Sequence, residues 1–114
     1  MAEDIDETAL RAYLDARAAE GTTVTYAEAA HALRLRPPHT IHRLAEALER
    51  TMDTDAAAGR PFAAAVVVSR TGAGLPAPGF FVRARELGRY DGPDRGESAA
   101  AFHRAELARL YTDQ

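Results

Sequence analysis

Apolar positions recur at helical spacing over most of the chain. Leu10, Tyr13, Leu14 and Arg17 follow the i, i+3, i+4, i+7 rhythm, the last with an alkyl stem that can cover apolar surface. They predict a helix over 5–19, with Asp4 or Asp6 as its cap and Gly21 as its end. Thr22-Thr23-Val24 is short and β-branched and predicts a brief strand. Thr25-Tyr26-Ala27-Glu28 has the spacing of a capping box, which starts a second helix running to about Leu33. Pro37-Pro38 breaks that helix and opens a third over about 38–51. Ile41, Leu44, Ala45, Leu48 and Met52 form its predicted buried stripe, with His39, His42, Arg43, Glu46 and Arg50 away from it.

The pattern then changes. Residues 53–61 read as a connector, and Phe62–Ser69 as a strand centred on the run Val66–Val68. A Gly/Pro loop spans 70–79. Residues 80–87 fit a return strand at their start, or a short helix with Phe81, Ala84 and Leu87 on one face. Asp91-Gly92-Pro93 is a turn. A last helix is predicted over 97–111, with Ser98 as a cap and Phe102, Ala105, Leu107, Leu110 and Tyr111 as its apolar positions.

Composition sharpens this reading. Of 114 residues 26 are alanine, eight are aromatic and none is tryptophan, so the core is expected to be small and mostly helical. A single domain, 1–114, is expected, burying about two-thirds of the surface its unfolded chain exposes. The fold class is mainly α with a small β component. The absence of cysteine excludes disulfides, thiol catalysis and cysteine-based metal sites. All basic residues are arginine, which excludes any mechanism needing a lysine amine. The acidic start, MAEDIDE, does not resemble a targeting peptide, and no apolar run approaches a membrane span. A cytoplasmic location is the corresponding expectation.

Net charge is −3, but it is unevenly distributed. Residues 1–30 hold two arginines against seven acids, and residues 31–95 hold ten against seven. Residues 31–45 contain Arg34, Arg36 and Arg43, with His31, His39 and His42, and no acid. This is the most positive stretch of the chain.

Helix, short strand, helix, turn, helix, strand and Gly/Pro loop is the order of a winged helix-turn-helix, here with an additional C-terminal helix. Residues 1–79 would supply the helix-turn-helix and wing, and 80–114 a helical extension. Such a motif presents the N-terminal half of its second helix to the major groove. That half carries His39, Thr40, His42 and Arg43, the turn before it adds Arg34 and Arg36, and Arg70 lies at the base of the wing. Arginine contacts guanine in a bidentate manner. Duplex DNA is therefore the expected partner, and a transcriptional regulator or accessory DNA-binding factor the expected role.

GTTVTYAEAAHAL followed by a turn and IHRLAEAL resembles the winged helix-turn-helix of the alkylguanine-DNA alkyltransferases and alkyltransferase-like proteins. The resemblance covers about a quarter of the chain. It implies that Tyr26 occupies the place of a phosphate-contacting tyrosine, and that His42 or Arg43 falls near the residue that enters the base stack. The Pro-Cys-His-Arg motif of those families is absent, so alkyl transfer is excluded. The second half, with LPAPGFFVRARELG, resembles small bacterial and prophage-type proteins, a likeness that implies no activity.

Other constellations read as structural. His39 and His42 are three apart on one helix, but no carboxylate or thiol in the segment completes a metal site. Gly72-Ala73-Gly74 lacks the lysine of a phosphate loop. Asp53, Asp55, Asp91 and Asp94 read as turn residues, and Ser69 lacks the context of a nucleophile. Phe80 and Phe81 read as core. Arg83, Arg85 and Arg89 either extend a basic face or pair with Glu86 and nearby aspartates. No metal, cofactor or enzymatic activity is expected. The alternative to DNA binding is a protein-interaction adaptor on the same fold, favoured by the net negative charge and acidic first helix. The Ala/Leu-rich terminal helix would permit a homodimer.

Overall fold

The computed structural model describes residues 5–71 and 73–112. Asp4, one of the two predicted caps, and Gly72 of the Gly/Pro loop lie outside them. In chain order the elements are α1 (Glu7–Glu20), β1 (Val24–Thr25), α2 (Tyr26–Ala32), α3 (Thr40–Ala57), a 3-10 turn (Ala63–Val66), β2 (Val67–Val68), α4 (Pro78–Glu86) and α5 (Glu97–Thr112).

The first half forms as its local signals dictate. The Asp6 carboxylate accepts from the Thr8 N–H at 2.9 Å and caps α1. Gly21, at φ 69°, ends it in the left-handed conformation that glycine adopts without steric penalty. Leu10, Leu14 and Ala18 are its buried positions. The capping box is complete: the Glu28 N–H donates to Thr25 Oγ1 at 3.1 Å, and the Thr25 N–H to Glu28 Oε1 at 2.8 Å.

The centre of the protein departs from expectation. Residues 62–68 are all buried, but only Val67 and Val68 are strand. They pair in parallel with Val24 and Thr25, and residues 63–66 coil into the 3-10 turn. A strand needs a partner of matching length, and β1 offers two residues. The backbone of 62–65 is satisfied by side chains instead. The Phe62 N–H donates to Glu106 Oε1 at 2.9 Å, the Ala63 N–H to Asp55 Oδ2 at 3.0 Å, and His103 Nε2–H to the Ala65 carbonyl at 2.8 Å. Each carboxylate is neutralised in turn. Arg11 and Arg60 lie 3.0 and 3.2 Å from Asp55, and Arg89 lies 3.0 Å from Glu106 while its guanidinium covers the Phe62 ring at 4.1 Å.

Four further positions differ from expectation. Helix α3 runs to Ala57 rather than ending near 51, because Asp55 must face inward from its last turns. Its buried positions are Leu44, Ala47, Leu48, Thr51, Met52 and Asp55, whereas Ile41 is 45% exposed. The inner face of α5 is Ala99, His103, Glu106 and Leu110, one that includes two polar side chains. Ser98 lies inside the first turn of α5 and does not precede it.

Residues 78–86 are helical, so the loop before them leads into α4 and not into a return strand. The described residues contain no hairpin wing. Phe80, Phe81 and Ala84 face the core, where Phe80 meets Phe62 edge-on at 5.9 Å. Arg83 ties α4 to α3 through both oxygens of Asp53, at 2.8 and 2.6 Å. Arg85 contacts Asp94 at 2.5 Å. Of the two readings of Arg83, Arg85 and Arg89, pairing with acids is the one realised. The observed class is mainly helical with a two-stranded sheet, and no helix among the described residues is long and apolar enough to cross a membrane.

Candidate nucleic-acid interface

The connector between α2 and α3 spans residues 33–39, longer than the three or four residues of a tight helix-turn-helix. It starts with a Schellman closure. The Leu35 N–H donates to the Ala30 carbonyl at 3.1 Å and the Arg34 N–H to the His31 carbonyl at 3.0 Å. Arg34 therefore occupies the left-handed position of the motif, at φ 58°. Glycine is the usual occupant there, because a Cβ in this conformation costs about 1–2 kcal/mol.

The bond between Pro37 and Pro38 is cis. His39 then caps α3 at φ 59° with no side-chain bond to the helix, and the first turn of α3 contains no acid. The partial positive charge of that helix end is left uncompensated by any side chain of its own first turn. Arg43 holds the connector together. Its Nη1 donates to the Arg36 carbonyl at 2.8 Å and to the Pro38 carbonyl at 2.6 Å.

The predicted contact residues thus fall into two groups. Arg43 and Tyr26 are engaged within the fold. The half-buried Tyr26 hydroxyl accepts from the Ala77 N–H at 3.0 Å and ties the 69–77 loop to the start of α2. Burial raises its pKa, which this hydrogen bond partly opposes. Arg34, Arg36, His39, His42 and Arg70 are exposed, and Thr40 is half-buried. His42 is 73% exposed and makes one long contact, 3.4 Å, with Glu46.

The side chains of Arg34, Arg36 and Arg70 have no hydrogen bond or ion pair among the described residues; that of Arg95 is alike, and the other arginine side chains bind carboxylates or carbonyls. Arg70 follows β2, whose Val68 pairs with Thr25 at the start of α2, and Arg34 follows the end of α2. The Thr25–Val68 pair and Arg34 thus stand at opposite ends of α2, a seven-residue helix about 10 Å long.

Sequence reasoning missed the exposed Ile41 beside these cations, and it missed Asp55, His103 and Glu106 as inward-facing groups. Ile41 matched an apolar helical spacing but falls in the first turn of α3, before that helix reaches the core. The charged side chains carried no signal, because their targets are backbone groups about 8 to 44 residues away. Comparison of the chain with protein families, with curated proteins and with solved structures found no match in any of the three.

Proposed function

We propose that the chain binds duplex DNA through the α2–α3 connector and the first turn of α3, as a helix-turn-helix-type factor in which the 69–77 loop takes the place of a wing. The observation that carries this reading is Arg34. An exposed arginine, its side chain without a partner among the described residues, stands in a backbone conformation that favours glycine. Such outliers cluster at functional sites. Arg36 adds positive charge on the same connector, His39 and His42 bring ring nitrogens that can hydrogen-bond a phosphate or a base edge at the helix end, and Arg70 supplies charge from the loop. Arg43 acts by shaping the connector.

The test is fluorescence anisotropy of the full chain against mixed-sequence duplex DNA, titrated with salt. Three phosphate contacts, one each from Arg34, Arg36 and Arg70, predict a slope of log K against log salt of about −3. Arg34→Gly relieves the backbone and removes the charge, so it should lower the slope by about one. Absence of binding at low salt overturns the proposal.

A second reading, a protein-interaction adaptor, is favoured by Ile41. Its exposed apolar side chain beside cations suits an acidic partner surface with an apolar centre. On that reading Ile41→Ser abolishes partner capture, and DNA does not compete with the partner.

A further inference from the structure

A cavity of about 70 Å³ lies between the start of α2, the middle of α3 and the first turn of α4. Leu48, Met52 and Phe80 form apolar walls, and Tyr26 and Glu49 bring oxygen atoms to it. The two oxygen-bearing groups differ in their engagement. The Tyr26 hydroxyl already accepts the Ala77 N–H at 3.0 Å. The Glu49 carboxylate has no hydrogen bond or ion pair among the described residues. The nearby cation, Arg83, is held by Asp53 at 2.6 Å and by Glu86 at 2.9 Å.

The surroundings make the cavity attractive to a cation. Burial, then the charges of Glu86, Glu46 and Asp53, push the Glu49 carboxyl above its ordinary value, and Arg83 opposes them. Three acids thus face that carboxyl against one arginine, a formal charge of −2. A Cβ on Gly79 would come 3.1 Å from Glu49 Oε2. Gly79 is not among the residues of positive φ, so backbone conformation does not demand glycine there. The missing side chain leaves room for the carboxylate at the cavity.

We propose that this cavity binds a small primary alkylammonium ion, whose ammonium pairs with Glu49 while its chain packs against Leu48, Met52 and Phe80. An apolar cavity of about 150 Å³ holds benzene. The volume here is about half of that and suits a chain of about three carbons, with the ammonium group at the carboxylate and any longer chain reaching past the cavity. A bare inorganic cation would leave the apolar walls unused. Glu49 lies about 13 Å along α3 from Thr40 by helical rise, and this binding requires no nucleic acid.

The test is a titration of the 15N-labelled full chain with n-propyl-, n-butyl- and n-pentylammonium chloride at pH 7, with n-butanol and matched sodium chloride as controls. Saturable amide shifts are expected at Glu49, Met52, Gly79 and Phe80, with at least one amine binding about tenfold more tightly than n-butanol. Glu49→Gln should reduce the affinity for the amine to that for the alcohol. Ala45→Leu leaves the carboxylate in place but fills the cavity from its lining, and should abolish both. Circular dichroism establishes that each variant is folded. If Glu49→Gln does not fold, the alcohol comparison and Ala45→Leu decide. Non-saturating shifts for all three amines up to tens of millimolar overturn the proposal. So does equal affinity for amine and alcohol, or undiminished binding in either folded variant.

Discussion

Replacing Asp55 by alanine tests what holds the central segment in place. The carboxylate is 1% exposed, accepts the Ala63 N–H at 3.0 Å and faces Arg11 and Arg60. Alanine leaves that buried N–H without an acceptor, a loss of about 1–3 kcal/mol. The Arg60 side chain is 54% exposed and returns to water, so its pairing contributes little. The Arg11 side chain is 26% exposed, and losing its partner should add about 1 kcal/mol. The expected total, about 2–4 kcal/mol, is a large share of the roughly 5–15 kcal/mol that stabilises a domain. Asparagine keeps an oxygen for the Ala63 N–H but loses the charge and turns an NH2 donor toward Arg11 and Arg60, so about half that loss is expected. Urea denaturation followed by far-ultraviolet circular dichroism reads both values from the shift in midpoint at constant slope. If Asp55→Ala stays within about 0.5 kcal/mol of the parent, the segment is not pinned there. If asparagine is as harmful as alanine, ion pairing and not the backbone bond is what matters.

Other outcomes follow from the same contacts. Arg34→Gly should raise stability by about 0.5–1 kcal/mol, the left-handed penalty minus the extra backbone entropy that glycine loses, while weakening DNA binding; lower stability would show that the Arg34 side chain supports the fold. Burial lowers the pKa of His103 below its ordinary 6.5, against the opposing bond to Ala65 and the Glu106 charge. The folded state thus resists a proton that the unfolded state accepts, so this contribution is intact above pH 6.5 and is lost as pH falls toward the folded value. His103→Gln, which retains a donor for Ala65, should flatten the dependence of the urea midpoint between pH 7 and 5.5; an unchanged dependence would place its origin in other groups. Arg43→Ala should loosen the 33–39 connector, seen as faster amide hydrogen exchange at Arg34 and Leu35 with the α1 amides unaffected, and uniform exchange would refute its local role.

The chain itself specified those elements whose signals are local. Asp6, Gly21 and the Thr25/Glu28 box lie within a few residues of the backbone groups they govern, and α1 and the start of α2 form as they indicate; Pro37-Pro38 lies in the connector and does not open α3, which begins at Thr40. The acid-free basic stretch was equally legible, since it needs only the order of residues. The identity of 62–69 was not. Its apolar run is what a buried strand and any other buried segment share, and the outcome rested on a two-residue neighbour and on acceptors from α3 and α5. Nor did the sequence separate Arg34 and Arg36, whose side chains have no partner among the described residues, from Arg43, engaged with two carbonyls of the connector. Charge is a property of a residue and can be read in sequence. Whether that charge faces solvent or is bound by an acceptor depends on which distant backbone and carboxylate groups the packed helices bring within hydrogen-bonding distance, and only the tertiary structure decides it.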